Sequence, residues 1–308
     1  VHRRTSLELA ERADLIAGAL AGRHGVRAPG IVGLHMDRGV GLVAAVLACS
    51  RLGVRALPLP REYPAGRLRS MAESAKVAFV VCEDSEHCSE DIRGPFACDC
   101  LDALVACGPA PLGPPCEDPW RGGVVLASSG STGAPKLISR SEASFYHRLG
   151  CNFAAWPFRP GEESLQKSHI ATTHSFYEML EPLFAGRTLH VVPDVGTTGV
   201  EGFWRIASEI GIMRLIAPHS LLSSALEYLP AAALSTTLRR VDLVGEAPTR
   251  HLAQAISEAL PGLAVTSTYG MTEASCMLMA NLTAELLAAP THGEPPPLPL
   301  GAPLSKHV

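Results

Sequence analysis

Lysine is scarce in this 308-residue chain: the 26 basic residues are 22 arginines and only four lysines, Lys76, Lys136, Lys167 and Lys306. A lysine inside a Gly/Ser/Thr run is therefore hard to ascribe to generic surface charge. Charged residues make up only 18% of the chain and apolar residues 47%, a balance that excludes a disordered tail or a charged fibre. Excess positive charge is also missing. With 26 basic against 30 acidic residues the formal net charge is -4, which argues against wrapping nucleic acid by bulk electrostatics. A small phosphate site stays open, because it needs only a few oriented N–H groups and one cation. Long hydrophobic runs are absent too. The longest, around Val40 to Cys49, covers about half a membrane span and reads as a buried helix, so no membrane partner is expected.

The first residues, VHRRTSLELAERADLI, lack the apolar core of a secretion signal, which sets a cytoplasmic location as the expectation. A start at Val1 and an end in LGAPLSKHV suggest a piece of a longer protein. Nine cysteines are present, six of them between 82 and 116. Their spacings are irregular and no C-x2-C pair occurs, so the expectation is unligated thiols in a connecting region rather than structural zinc or a disulfide framework.

The chain alternates apolar strands and amphipathic helices. IVGLHM, VRALPLP and VAFVVCE read as strands, with helices at SLELAERADLIAGALAGRHG, stopping at Gly25, GVGLVAAVLACSRLG and EYPAGRLRSMAESAK between and before them. Strands separated by such helices imply crossover units on a parallel sheet. A Pro/Gly/Cys-rich stretch from about 84 to 118 reads as a connection between two lobes, residues 1–115 and 116–308. The second lobe repeats the alternation, with strands at GGVVLASSG, LISRS, SHIAT, TLHVVPD, IMRLIAP, LRRVDLVG and LAVTSTYG. The fold class is α/β, with two open α/β subdomains.

The sharpest local feature is the run Ser128-Ser129-Gly130-Ser131-Thr132-Gly133-Ala134-Pro135-Lys136, placed at the end of the strand VVLA and expected at the edge of the second sheet. Its glycines permit close backbone approach, its N–H groups can line an anion cavity, and its hydroxyls add donors. It is not the G-x-x-x-x-G-K-[ST] phosphate loop, and a turn-rich hairpin is the competing reading. The run STYGMTE offers Tyr269 as a ring for a planar group, Thr272 as a phosphate ligand and Glu273 as a Mg2+ ligand, or else a packed turn and a solvent carboxylate. In VDLVGEAPT, Gly245 ends a strand where backbone can approach a ligand edge, with Glu246 on the rim.

Together these segments resemble the adenylate-forming superfamily, which includes the adenylation domains of non-ribosomal peptide synthetases, aryl acid adenylating enzymes, acyl-CoA synthetases and luciferases. SSGSTGAPK resembles its phosphate-loop signature, YGMTE its second nucleotide signature, VGEAP its adenine-side segment, REYPAGRL a motif of the first lobe, and SFYEMLEPLFAG the helix entering the acyl pocket. The likeness runs from about residue 6 to 307. It implies the two subdomains of the large N-terminal domain, with the small C-terminal lid domain lying beyond Val308. It also implies ATP and Mg2+ as cofactors, and attack of a carboxylate on the α-phosphorus to give an acyl adenylate.

Carried over by the resemblance, Ser129, Gly130, Ser131, Thr132, Gly133 and Lys136 surround the β- and γ-phosphates. Gly245, Glu246 and Ala247 lie along the adenine, Tyr269 stacks on it, Thr272 meets the α-phosphate and Glu273 binds Mg2+. Lys136, Thr272 and Glu273 are the expected catalytic residues. The acyl pocket is implied at Thr173, His174, Tyr177, Leu215, Val244, Thr268, Cys276 and Met277. Amino-acid-activating relatives carry an Asp where this chain has Thr173. Burying an ammonium without that charge costs several kcal/mol. An aryl or other non-α-amino acid is therefore the expected substrate, passed to a carrier-protein phosphopantetheine thiol. The alternatives are an α- or β-amino acid, CoA as acceptor, or a non-catalytic nucleotide-binding module.

Overall fold

The computed structural model describes residues 3–86, 88, 90–128, 136–193, 195–230, 233–234, 237–247, 249–283 and 298–303. Two compact units emerge, one of Val1–His147 with Ile170–Thr173, the other of Arg148–His169 with His174–Val308.

Unit 1 opens with α1 (Ser6–Gly22), whose start is set by a reciprocal cap: Thr5 accepts from the Glu8 amide at 3.2 Å, and the Glu8 carboxylate accepts from the Thr5 amide at 2.7 Å. The crossover units follow as β1 (Ile31–His35), α2 (Val40–Leu52), β2 (Arg55–Pro58), α3 (Ala65–Ser74) and β3 (Phe79–Cys82). Gly53, at φ 66°, supplies the left-handed residue that ends α2. Then come α4 (Glu90–Arg93), β4 (Cys98–Cys100), α5 (Leu101–Ala106), β5 (Gly123–Ser128) and β6 (Lys136–Ser141), while α6 (Glu142–Ala155) leads out of the unit. The sheet order is β4-β3-β1-β2-β5-β6, parallel except for the β5–β6 hairpin.

The region expected to be a loose connection is part of this sheet. β4 pairs with β3, and Ile92, Leu101 and Leu104 are buried. The division between units likewise falls at 147 rather than 115, because β5 joins β2 through Arg55↔Gly123 and Ala56↔Val124. That pairing carries residues 116–147 into the first unit. The serine/glycine run is thus bracketed by strands of the first sheet, not the second.

Unit 2 contains β7 (Ser164–Gln166), α7 (Thr173–Phe184) from its second residue on, β8 (Leu189–Val191), α8 (Val195–Ile210), β9 (Arg214–Pro218), α9 (His219–Tyr228), β10 (Arg240–Val244), α10 (Arg250–Ala259), β11 (Ala264–Met271), β12 (Ser275–Asn281) and β13 (Ala302–Pro303). Its main sheet runs β13-β12-β11-β10-β9, with β9, β10 and β11 parallel and β12 antiparallel to β11. One sheet face is apolar: Leu215, Ala217, Val241, Leu243 and Val265 pack with Phe203, Trp204, Leu222 and Ile256. The strand expected at SHIAT does not form. The amides of Lys167 and Ser168 instead donate to the Glu178 carboxylate at 3.0 and 2.7 Å. Among the described residues no helix is long and apolar enough to cross a membrane.

Candidate functional site

Parallel strands β10 and β11 end side by side, with Val244 paired to Thr268, so the residues following each strand emerge at one sheet edge. Ligand sites of open α/β sheets form at such carboxyl ends. After β10 come Gly245, Glu246 and Ala247, all exposed. Gly245 has φ 91°, and a Cβ there would meet nothing within 4 Å, so this backbone presents an unobstructed edge. On the neighbouring strand the register shifts in a bulge after Tyr269, and Thr272, Glu273 and Ala274 form the hairpin tip before β12. Tyr269 is 41% exposed, unusual for an aromatic ring on a central strand. The tip is tied by the Ala274 amide donating to the Met271 carbonyl at 3.2 Å. One edge of unit 2 thus gathers Gly245, Glu246, Ala247, Tyr269, Thr272 and Glu273.

Sequence reading missed a histidine at this edge. Pro218 pairs with Val244, so His219, the first residue of α9, follows the third parallel strand. It is buried, and that burial lowers its pKa against the opposing influence of Glu246. The only signal was its place directly after the strand IMRLIAP.

Of the expected acyl-pocket residues, Val244 and Thr268 are buried neighbours on one face of the sheet. The Thr268 hydroxyl has no hydrogen-bond partner among the described residues. Leu215 is not with them. Its register partner is Val241, on the opposite face, where it belongs to the apolar core. Strand alternation puts Ile216 on the Val244 face instead. Cys276 and Met277 lie in β12, with Cys276 opposite Gly270. Thr173 begins α7, followed by His174, and Tyr177 is buried one turn on. Burial lowers the His174 pKa, keeping the ring neutral near pH 7, and the Arg148 guanidinium lies 5.6 Å from the Tyr177 ring centre.

Both carboxylates of α7 are engaged. Glu178 pairs with Lys167 at 3.0 Å, the two side chains 1% and 4% exposed, and also accepts from the Ser168 hydroxyl at 2.8 Å. Glu181 accepts from the Asn152 amide, and its burial raises its pKa despite Arg148 and Arg214 nearby. Asp242, on the Val244 face of β10, is held by Arg240 at 2.6 Å and by the Thr266 hydroxyl.

Ser129, Gly130, Ser131, Thr132 and Gly133 lie outside the described residues. Their flanks are the antiparallel pair β5–β6, closed by Ser128↔Lys136. Gly123 anchors the far end of that hairpin at φ 116°, where a Cβ would fall 2.0 Å from the Arg140 carbonyl. Lys136 is exposed at the loop's exit.

The model of the family described as AMP-binding enzyme matches residues 2–305. The chain is 29% identical over 208 residues to the β-alanyl-bioamine nonribosomal peptide synthetase ebony of Drosophila melanogaster, covering 65% of this chain and 23% of that protein. Among solved structures, VinN in complex with L-aspartate superposes with TM-score 0.80 at 20% identity, covering 97% of this chain and 75% of the other. The o-succinylbenzoate coenzyme A synthetase of Bacillus subtilis, in complex with ATP and magnesium ion, gives 0.77 at 20% identity over 90% and 57%. The chain spans less than a quarter of the length of the curated relatives it matches first.

Proposed function

The chain belongs to the AMP-binding enzyme family, and from that premise we propose that it activates a carboxylic acid with ATP, forming an acyl adenylate and pyrophosphate. The observation that carries this reading is the shared edge of β10 and β11, where Gly245–Ala247 and Tyr269–Glu273 emerge together. An adenine fits between an unobstructed glycine backbone and an exposed tyrosine ring. Thr272 and Glu273 at the adjoining tip are hard oxygen donors, the set that suits Mg2+ on phosphate oxygens. Mg2+ held by Glu273 would supply charge to the triphosphate, as ATP and magnesium are bound in the similarly folded synthetase.

A carboxylate oxygen of the acid attacks the α-phosphorus, and the bond to the bridging oxygen breaks, releasing pyrophosphate. Negative charge grows on the phosphate oxygens in this in-line transfer, and fixed donors oppose it without reorganising. The Thr272 hydroxyl serves the α-phosphate, and the loop 129–133 with Lys136 serves the leaving pyrophosphate.

The acid is an aryl or other non-α-amino acid. A zwitterion needs a carboxylate for its ammonium, yet α7 begins Thr173-His174-Ser175, and Glu178, Glu181 and Asp242 are each occupied by other donors. The neutral His174 can hydrogen-bond a ring hydroxyl. Transfer to a carrier-protein phosphopantetheine thiol, or to CoA, completes the reading. Incubation of the protein carrying its lid domain with MgATP and a hydroxybenzoate, followed by mass spectrometry, should show an acyl adenylate and equimolar pyrophosphate. ATP binding with neither product across a broad acid panel would leave a nucleotide-binding module and sink the proposal.

A further inference from the structure

Three sulfurs converge in unit 1. The Sγ atoms of Cys82, Cys88 and Cys98 all lie within 4.8 Å of one another, with Cys88 2.6 Å from Cys82 and 3.5 Å from Cys98. The elements that bring them together are the last residue of β3, the segment before α4 and the first residue of β4. Cys82 and Cys88 are buried, while Cys98 is partly exposed on the edge strand of the sheet. Val80, Ile92 and Phe96 pack around them, so little water competes for the sulfurs. None of these thiols has a role in the nucleotide or acid chemistry proposed above.

We propose that Cys82, Cys88 and Cys98 form a thiolate site for a thiophilic d10 cation, Zn2+ or Cu+. Soft sulfur donors select such ions over the hard cations that oxygen ligands hold. Each thiol loses its proton to solvent as its sulfur bonds the metal, so three cysteines leave a site of net charge -1 with Zn2+ and -2 with Cu+. The Arg93 guanidinium, hydrogen-bonded to the Cys88 sulfur, supplies opposing charge. With Zn–S bonds of about 2.3 Å, sulfurs on one tetrahedral ion stand about 3.8 Å apart. The Cys88–Cys98 separation is already close to that figure, and the Cys82–Cys88 contact must open by about an ångström, within reach of a side-chain rotation. Cys100 stands opposite Cys82 in the β3–β4 register, on the same sheet face.

A Cys82–Cys88 disulfide is the competing outcome. It would use two of the three sulfurs, need an external oxidant, and leave the convergence of Cys98 unexplained.

The test is equilibrium dialysis of the reduced protein against Zn2+ and, without oxygen, against Cu+, with elemental analysis, and titration with Co2+, whose thiolate complexes absorb by charge transfer. One equivalent of Zn2+ and a thiolate–cobalt band are expected. Cys98→Ser, at a partly exposed edge position, should weaken Zn2+ at least tenfold and remove the rise in melting temperature that Zn2+ gives the parent. Cys107→Ser, at an exposed thiol outside the trio, should change neither. No stoichiometric uptake, or uptake and thermal response unchanged by Cys98→Ser, would overturn the proposal. So would a Cys82–Cys88 disulfide found by peptide mapping in protein that then binds no metal after reduction.

Discussion

Tyr269 carries the nucleotide proposal at the scale of single residues. A tyrosine 41% exposed on a central strand forgoes burial worth roughly 1 kcal/mol or more, which a stacked base would recover. Stacking and backbone donors depend on shape, whereas exposed Lys136 acts as a point charge in high dielectric. Tyr269→Ala should therefore weaken ATP by about 1–3 kcal/mol, roughly five- to 150-fold. Lys136→Ala should cost less than about 1 kcal/mol. Calorimetric titration of MgATP into both variants decides the order, and a larger loss for the lysine variant would misplace the source of affinity. Leu215 shows the limit of residue-by-residue transfer from a resemblance. It aligns with a pocket position, yet register puts it beside Val241 in the core, and a one-residue difference exchanges the two faces of a strand.

At the scale of elements, α7 is anchored by a buried carboxylate. Glu178 holds the Lys167 ammonium, the Ser168 hydroxyl and two consecutive amides, so it fixes α7 against the chain leaving β7. Glu178→Ala would remove the carboxylate paired with the buried Lys167, together with the acceptor of two amides, and should destabilise by about 3–5 kcal/mol in denaturant unfolding. A loss under 1 kcal/mol would mean the ion pair is dispensable. This same group explains a strand that periodicity suggested and the fold omits. SHIAT has strand-like alternation, but its first amide and that of Lys167 are spent on Glu178, ten and eleven residues away, a contact that no local pattern reports. Elements with strong periodicity or caps, such as α1, α2 and β1–β3, were legible from sequence alone. The segment from 84 to 118 was not, because its turn formers mask a three-residue strand of partly exposed residues and the short helix after it, whose buried Leu101 and Leu104 are too few to set a period.

For the whole molecule, the order of signatures along the chain revealed the family, while the division into units was hidden in strand pairing. β5 looks like the opening of a second lobe and is instead the fifth strand of the first sheet, which puts the serine/glycine run on unit 1 and Tyr269, Thr272 and Glu273 on unit 2. The proposed lack of a counter-charge at Thr173 makes the substrate class the most exposed consequence. The direct measurement is acid-dependent exchange of labelled pyrophosphate into ATP, over a panel of hydroxybenzoates, fatty acids, β-alanine and α-amino acids, for the parent and Thr173→Asp. The parent should favour non-α-amino acids by at least about tenfold, equivalent to roughly 1.4 kcal/mol, and Thr173→Asp should narrow or reverse that preference. Preference of the parent for an α-amino acid such as alanine or phenylalanine would contradict the account.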